Sequence, residues 1–241
     1  MGLLTFSLNL TLDGCVDHQE GIADDETHAF FTRLVDEGGA MLWGRVTYEL
    51  MESYWPAVAR GDEQAPPALR EWAVKLEAKP KYVVSSTRED FPWANSHHIA
   101  GDLREGVQKL KDATPAGVLL GSGKLATELD RLDLIDEYKM LVHPRIAGHG
   151  PTLHQDGLPG TRRLELLSAQ PLRNGAVAMH YRRALNHRSP SPPAHPQRGV
   201  LLCPPRPRRT GHAAPGTPHR QRRTTPPRRR RLRRAGRGWR A

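Results

Sequence analysis

Two rhythms of apolar and polar positions alternate along most of the chain. Strand-like runs fall at 3–10 (LLTFSLNL), which is nearly continuously apolar, and at 40–43 (AMLW), 81–86 (KYVVSS), 117–120 (GVLL) and 136–144 (DEYKMLVHP). Such runs predict strands buried on both faces. Between them lie stretches whose apolar residues recur every three or four positions, the spacing of an amphipathic helix. The first, 24–39, crowds acidic residues into its opening turn, sets Phe30, Phe31, Leu34 and Val35 on one face and stops at Gly38-Gly39. The others are 45–55 (RVTYELMESYW), 66–78 with prolines at its start, 101–113 and 123–134. Within 101–113, Asp102 and Glu105 have the spacing of a capping box. Towards the end, 163–183 reads as two strands joined through Asn174-Gly175, a hairpin signal. Repeated β-α units followed by an antiparallel pair predict an α/β fold. Its sheet is mainly parallel, with helices on both faces and a C-terminal hairpin.

Sheets of this kind bind ligands beyond the carboxyl ends of their strands. Three of the predicted strand ends carry suitable chemistry. The stretch LWGRVTYE puts Gly44 at a strand end, with Arg45 and Thr47 on the first turn of the next helix. VVSSTR puts Ser85, Ser86, Thr87 and Arg88 at another, and LLGSGKLA puts Gly121, Ser122, Gly123 and Lys124 at a third. Small residues, free backbone N–H groups, hydroxyls and fixed positive charges on one edge suit a dinucleotide with an extra phosphate. The two glycines around Ser122 let the backbone approach such a ligand closely.

Charge divides the chain in two. Residues 1–185 hold all 26 acidic residues but only 20 of the 36 Lys+Arg, a net charge of −6. Residues 186–241 hold 16 arginines with no Lys, Asp or Glu, and 11 of the 21 prolines. A segment so poor in aliphatic residues cannot offset its chain entropy by burial and is expected to be disordered. Its arginine-only composition reads as a frameshifted or otherwise non-native extension. The alternative is a selected basic tail that binds nucleic acid without sequence preference.

The two cysteines, Cys15 and Cys203, form no CxxC pair, so neither a disulfide nor a metal cluster is expected, and a reducing compartment is. His97-His98, His143, His149 and His154 lack the paired spacing of a metal site. Trp43, Trp55, Trp72 and Trp93 are expected in the core or a pocket wall, with Tyr48 and Tyr54-Trp55 as candidates for a substrate cleft. The apolar start lacks a basic leader and is interrupted by Asn9 and Asp13, which predicts a first strand rather than a signal peptide. No run approaches 18 apolar residues, so a soluble, cytoplasmic domain is expected.

The stretches NLTLDG (9–14), LWGRVTYE (42–49), KYVVSS (81–86), the long block 119–148 and NGAVAMHYR (174–182) together resemble the dihydrofolate reductase-like superfamily. Within it, the chain is most similar to the reductase domain of the bifunctional deaminase-reductases of riboflavin synthesis and their stand-alone relatives. The resemblance covers 1–185 and none of the tail. It implies a three-layer sandwich, a homodimer and NADPH-dependent reduction of a small heterocyclic substrate such as a ribosylaminopyrimidine. It implies further that Gly44, Arg45 and Thr47 form a phosphate-binding turn. Ser85, Ser86 and Arg88 would lie at the adenosine 2′-phosphate. Gly121, Ser122, Gly123, Lys124 and Leu125 would lie under the pyrophosphate and nicotinamide ribose. Relatives often have a strained or cis peptide in this loop, and its state here stays open.

Hydride delivery to an imine or carbonyl-like acceptor also needs a proton, from a carboxyl or a positioned water. The folate-reducing branch uses a carboxylate near the start of the first helix. Thr27 stands at or beside that position, preceded by Asp24, Asp25 and Glu26. This departure argues against dihydrofolate reduction, which is kept as the alternative activity. Asp13 is the candidate for the catalytic and polar substrate contact, with Glu26, Thr27 and Tyr48 beside it on the substrate side. A turn residue ahead of Gly14 is the structural alternative for Asp13. A non-catalytic nucleotide-binding paralogue completes the readings.

Overall fold

The structure, a computed structural model, describes residues 1–184. Eight strands form one sheet: β1 (Leu4–Thr11), β2 (Ala40–Gly44), β3 (Lys81–Val84), β4 (Ser96–Ile99), β5 (Val118–Leu120), β6 (Glu137–His143), β7 (Leu164–Pro171) and β8 (Val177–Arg183). Six helices join them: α1 (Asp25–Glu37), α2 (Arg45–Glu52), α3 (Trp55–Arg60), α4 (Pro67–Ala78), α5 (Leu103–Ala113) and α6 (Gly123–Arg131). The strand order is β4-β3-β2-β5-β1-β6-β8-β7. Pairing is parallel from β4 through β6, and β8 runs antiparallel to both β6 and β7. This is an α/β architecture with a mainly parallel sheet and a C-terminal antiparallel pair.

Alternation along the central strands assigns the two faces. Leu4, Phe6, Leu42, Val118 and Leu120 meet Val107 and Leu110 of α5 and Ala126 and Leu129 of α6. Their strand neighbours Met41, Trp43 and Leu119 point the other way and meet Phe30, Leu34 and Val35 of α1 and Leu76 of α4. Three layers follow. Each fully buried Leu or Phe contributes roughly 1.5–3 kcal/mol, so the two apolar faces carry most of the stability.

Polar residues fix the joints. Lys81 is completely buried. Its ammonium donates to the Leu76, Glu77 and Lys79 carbonyls at 2.7, 3.2 and 2.8 Å, closing the end of α4. It also sits 4.5 Å from the Trp93 ring centroid. On the other face, the buried Lys111 reaches Asp136 at 2.7 Å, and Asp136 accepts the Leu4 N–H at 2.7 Å. The Asp102 carboxylate accepts the Glu105 N–H at 2.9 Å, so that half of the capping box is made.

Three expectations about elements need correction. The helix expected over 45–55 is broken between α2 and α3, with Tyr54 outside the helical region (φ −129°, ψ −52°). Pro56 is the reason: in a continuous helix its ring would strike the carbonyl of Glu52. The helix expected to reach 134 stops at Arg131, because Asp133 adopts φ +57° and the Leu134 N–H turns back to the Leu129 carbonyl at 3.0 Å. Strand β4 was not foreseen. Its sequence, SHHI, lacks an apolar pattern because it lies on the sheet edge with only one neighbour, β3.

Candidate functional site

Because β1, β2, β3, β5 and β6 are parallel, their carboxyl ends share one edge. Thr11, Gly44, Val84, Leu120 and His143 end the strands there. All three stretches singled out in the sequence therefore converge, and LWGRVTYE touches both of the others, through Ser122 and through Arg88. The Ser122 hydroxyl, 4% exposed, accepts the Gly44 N–H at 3.0 Å and donates to the Thr47 hydroxyl at 2.7 Å. Ser122 thus ties the start of α2 to the start of α6. It caps neither helix: the N-cap positions, Ser122 for α6 and Gly44 for α2, make no side-chain cap bond. Two helix N-termini therefore present uncapped N–H groups beside each other, the arrangement that accepts phosphate.

The glycines have distinct causes. A Cβ on Gly121 would lie 3.1 Å from the Trp43 indole nitrogen, so the core ring beneath the loop already favours glycine. Gly123 has ordinary clearance, its nearest neighbour being Leu153 at 3.7 Å. All peptide bonds of the described residues are trans. Past Gly123 opens a cavity of about 360 Å³, lined by Gly123, Lys124, Leu125, Thr127, Thr152 and His154 among others. Lys124 is exposed there and enters no ion pair among the described residues. His154 contacts the Thr127 hydroxyl at 3.2 Å on one side and lies 3.8 Å from the buried Asp130 carboxylate on the other. Arg162, Arg183 and the Tyr138 hydroxyl complete the partners of Asp130.

At the β3 end the geometry is different from a bare anion site. The Ser85 hydroxyl accepts the N–H groups of Thr87 and Arg88 at 3.2 and 2.8 Å, forming a turn, and Ser86 is exposed. The Arg88 guanidinium binds the Glu52 carboxylate through both Nη atoms, at 2.9 and 3.1 Å. Arg45 binds Glu49 at 2.8 and 3.0 Å. Both arginines expected at a phosphate are therefore already paired. Tyr48, expected near the substrate, is fully buried between Trp43, Phe91 and Trp93, and its hydroxyl accepts the Trp93 N–H at 3.0 Å. It is a core residue that supports α2.

The carboxylates on the substrate side also act as ties. Asp13 accepts the Thr11 hydroxyl and the Ala147 and Gly148 N–H groups, the latter two at 3.1 and 2.8 Å. These donors hold its carboxyl down at about 2. Exposed and stabilised as the anion, Asp13 ties the 145–148 loop to the end of β1. Glu26 binds Arg173 at 3.0 Å and the Asn174 N–H at 3.1 Å, and Arg173 lowers its pKa. Burial pushes Asp24 up, but bonds from Thr27 and Asn174 outweigh it and leave the group below its usual range. Thr27 is itself buried against the Asn174 amide at 3.4 Å. The hairpin turn thus docks on the start of α1.

Two features escaped the sequence reading. Asn174 was seen only as a turn former, yet its amide reaches Asp24 across 150 residues. His143 was weighed only for metal. It is buried, takes the Ile22 N–H on Nδ1 at 3.4 Å and so donates from Nε2 to the Asn9 side chain at 2.9 Å. Burial, with Arg145 nearby, lowers its pKa and keeps it neutral. Among the described residues no group of three or more His, Cys, Asp and Glu could hold a metal ion, and no helix is long and apolar enough to cross a membrane.

A mostly parallel sheet with two joined, uncapped helix starts, a glycine turn and a cavity at its carboxyl edge defines an α/β domain suited to a phosphorylated ligand. The chain belongs to the RibD C-terminal domain family, which it matches over residues 3–178. It is 26% identical over 182 residues to the uncharacterized protein YyaP of Bacillus subtilis (strain 168), covering 74% of this chain and 93% of that one. Among solved structures it is similar to a "putative riboflavin biosynthesis protein" from Shewanella sp. PV-4. The TM-score is 0.58 and the identity 18%, over 76% of this chain and 99% of that one. It is also similar to the diaminohydroxyphosphoribosylaminopyrimidine deaminase/5-amino-6-(5-phosphoribosylamino)uracil reductase of Thermotoga maritima. There the TM-score is 0.54 and the identity 17%, over 76% of this chain and 57% of that one. These likenesses show the fold. Family membership supports an oxidoreductase of the reductase kind found in riboflavin synthesis.

Proposed function

We propose that the chain is an NADPH-dependent reductase of a small heterocyclic substrate, of the kind represented by 5-amino-6-(5-phosphoribosylamino)uracil. The observation that carries this reading is the Ser122–Gly44 bond of 3.0 Å, which sets two uncapped helix N-termini side by side, with a cavity of about 360 Å³ opening past Gly123 along α6. Those N–H groups and Lys124 suit a pyrophosphate, while Ser85, Ser86 and Arg88 on one turn, with Arg45 sharing Glu49 with Arg88, suit a 2′-phosphate. The residues present fit a nicotinamide dinucleotide, with the qualification that both arginines must leave carboxylate partners. When bound, the cofactor supplies the hydride. The protein supplies position: α2 and α6 hold the phosphates, and the Gly121–Leu125 turn orients what lies above it. Asp13, Asp24 and Glu26 are all held below the usual carboxylate range, which favours a positioned water as the proton source.

The test is NADPH oxidation by the full chain against a panel of aminopyrimidines and pteridines. Turnover with an aminopyrimidine supports the reading, turnover with dihydrofolate alone supports the alternative, and nucleotide binding without turnover on either supports a non-catalytic paralogue.

The body acts as a cytoplasmic homodimer in this reading. Edge strand β7 is exposed along its whole length, with Leu164, Leu166 and Leu167 on display, and a second copy would cover it. Light scattering reads the mass directly. The expectations of disorder and of non-specific attraction to nucleic acid fall on residues 186–241, outside the described residues. Deleting that segment is expected to leave nucleotide binding intact and to abolish retention of DNA.

A further inference from the structure

We infer that Glu52 sets the choice between adenine dinucleotides with and without a 2′-phosphate, by occupying the guanidinium of Arg88. This rests on the nicotinamide-dinucleotide reading of the edge. Arg45, Glu49, Arg88 and Glu52 form one row of alternating charge across α2 and the loop after β3. Arg45 contacts Glu49 at 2.8 Å, Glu49 contacts Arg88 at 3.6 Å, and Arg88 contacts Glu52 at 2.9 Å. The row is neutral as a whole.

Arg88 has little freedom within it. Its Nε donates to the Asp90 carbonyl at 2.7 Å, and its plane lies 5.2 Å from the ring centroids of both Tyr48 and Phe91. The remaining face of the guanidinium fork is filled by the two oxygens of Glu52. Bidentate pairing of this geometry is what a phosphate would also seek, so carboxylate and phosphate compete for the same two nitrogens. A phosphate approaching Arg88 or Arg45 also meets two carboxylates of its own sign. A ribose hydroxyl meets no such penalty. It can donate to a carboxylate, the contact that marks 2′-hydroxyl recognition in dinucleotide folds. The side chains of Glu52 and Glu49 are 22% and 38% exposed, so both are within reach of a ligand from solvent. Glu52 therefore disfavours the phosphorylated nucleotide, and the net preference reflects the contest for Arg88.

Glu52→Gln keeps the shape and removes the charge. Calorimetric titration of the full-length wild type, E52Q and E52A with NADPH and with NADH reads the outcome, with thermal melts confirming the fold of each. E52Q is expected to bind NADPH about tenfold more tightly, the size of one charge-assisted contact. NADH affinity should stay level or fall, and E52A should move the ratio in the same direction. An unchanged NADPH-to-NADH ratio, or weaker NADPH binding, in variants that melt as the wild type does, overturns the role of Glu52 alone. Failure of the wild type to bind either nucleotide overturns the underlying reading as well.

Discussion

The hydroxyl of Ser122 holds the backbone N–H of Gly44 at 3.0 Å across 78 residues of sequence. One buried side chain thereby sets the spacing of two strand-to-helix turns. Ser122→Ala leaves the Gly44 N–H and the Thr47 hydroxyl without their partner in a part-buried site. The expected cost is about 1–3 kcal/mol of stability, read by urea denaturation. Nucleotide affinity should fall together with stability, because both helix starts lose their mutual register. Full stability in the alanine variant would show that the bond does not carry the joint.

Asp13 contributes stability with a defined pH window. Its folded value, about 2, lies below the model-peptide value of 3.8, so the anion is favoured by folding. The contribution is complete above about pH 4 and is lost as pH falls through the interval down to 2. Asp13→Asn should therefore lower the melting temperature at pH 6 and have little effect near pH 2. The pH–rate profile of turnover should keep its shape in the variant, since in the proposed reading the carboxylate ties the 145–148 loop and a positioned water is the proton source. A lost ionisation in that profile would give Asp13 a catalytic role.

Burial pulls the Lys81 ammonium down to about 8, from an ordinary 10.5. Between those values the unfolded chain binds more protons than the folded one, so this group makes stability rise with pH over that interval. Lys81→Met lacks the effect and also leaves three carbonyls at the end of α4 without a donor. Denaturation of both proteins at about pH 7.5 and pH 10 should show the wild type gaining on the variant at the higher pH. A constant or shrinking difference would mean that the carbonyls hold the charge throughout.

What the sequence reveals here follows from the range of each interaction. Strands β1, β2, β3, β5 and β6 were legible because burial on both faces leaves short runs rich in apolar residues, and α5 because Asp102 and Glu105 mark its start locally. Convergence of Gly44, Ser85 and Gly121 on one edge was legible once the strands were taken as parallel. The edge strand β4 has no such pattern, whereas the break between α2 and α3 has a local mark in Pro56. Partnerships were the least visible. Arg88 and Glu52 are 36 residues apart, Asp24 and Asn174 are 150 apart, and nothing local pairs them. Tyr48 was misjudged for the same reason: α2 turns it onto Trp43 and Trp93, contacts set by the tertiary packing.

The central claim is that the carboxyl edge around Ser122 and Lys124 holds a nicotinamide dinucleotide. Calorimetric titration of NADPH into the full chain at about 0.15 M salt tests it most directly, since non-specific attraction to the arginine-rich segment is screened there. Lys124→Ala and Ser122→Ala carry the same segment, so any difference from the wild type isolates the edge. The account predicts saturable binding of one nucleotide per chain, weakened several-fold in each variant. Binding of equal strength in all three proteins, or none in the wild type, would contradict it.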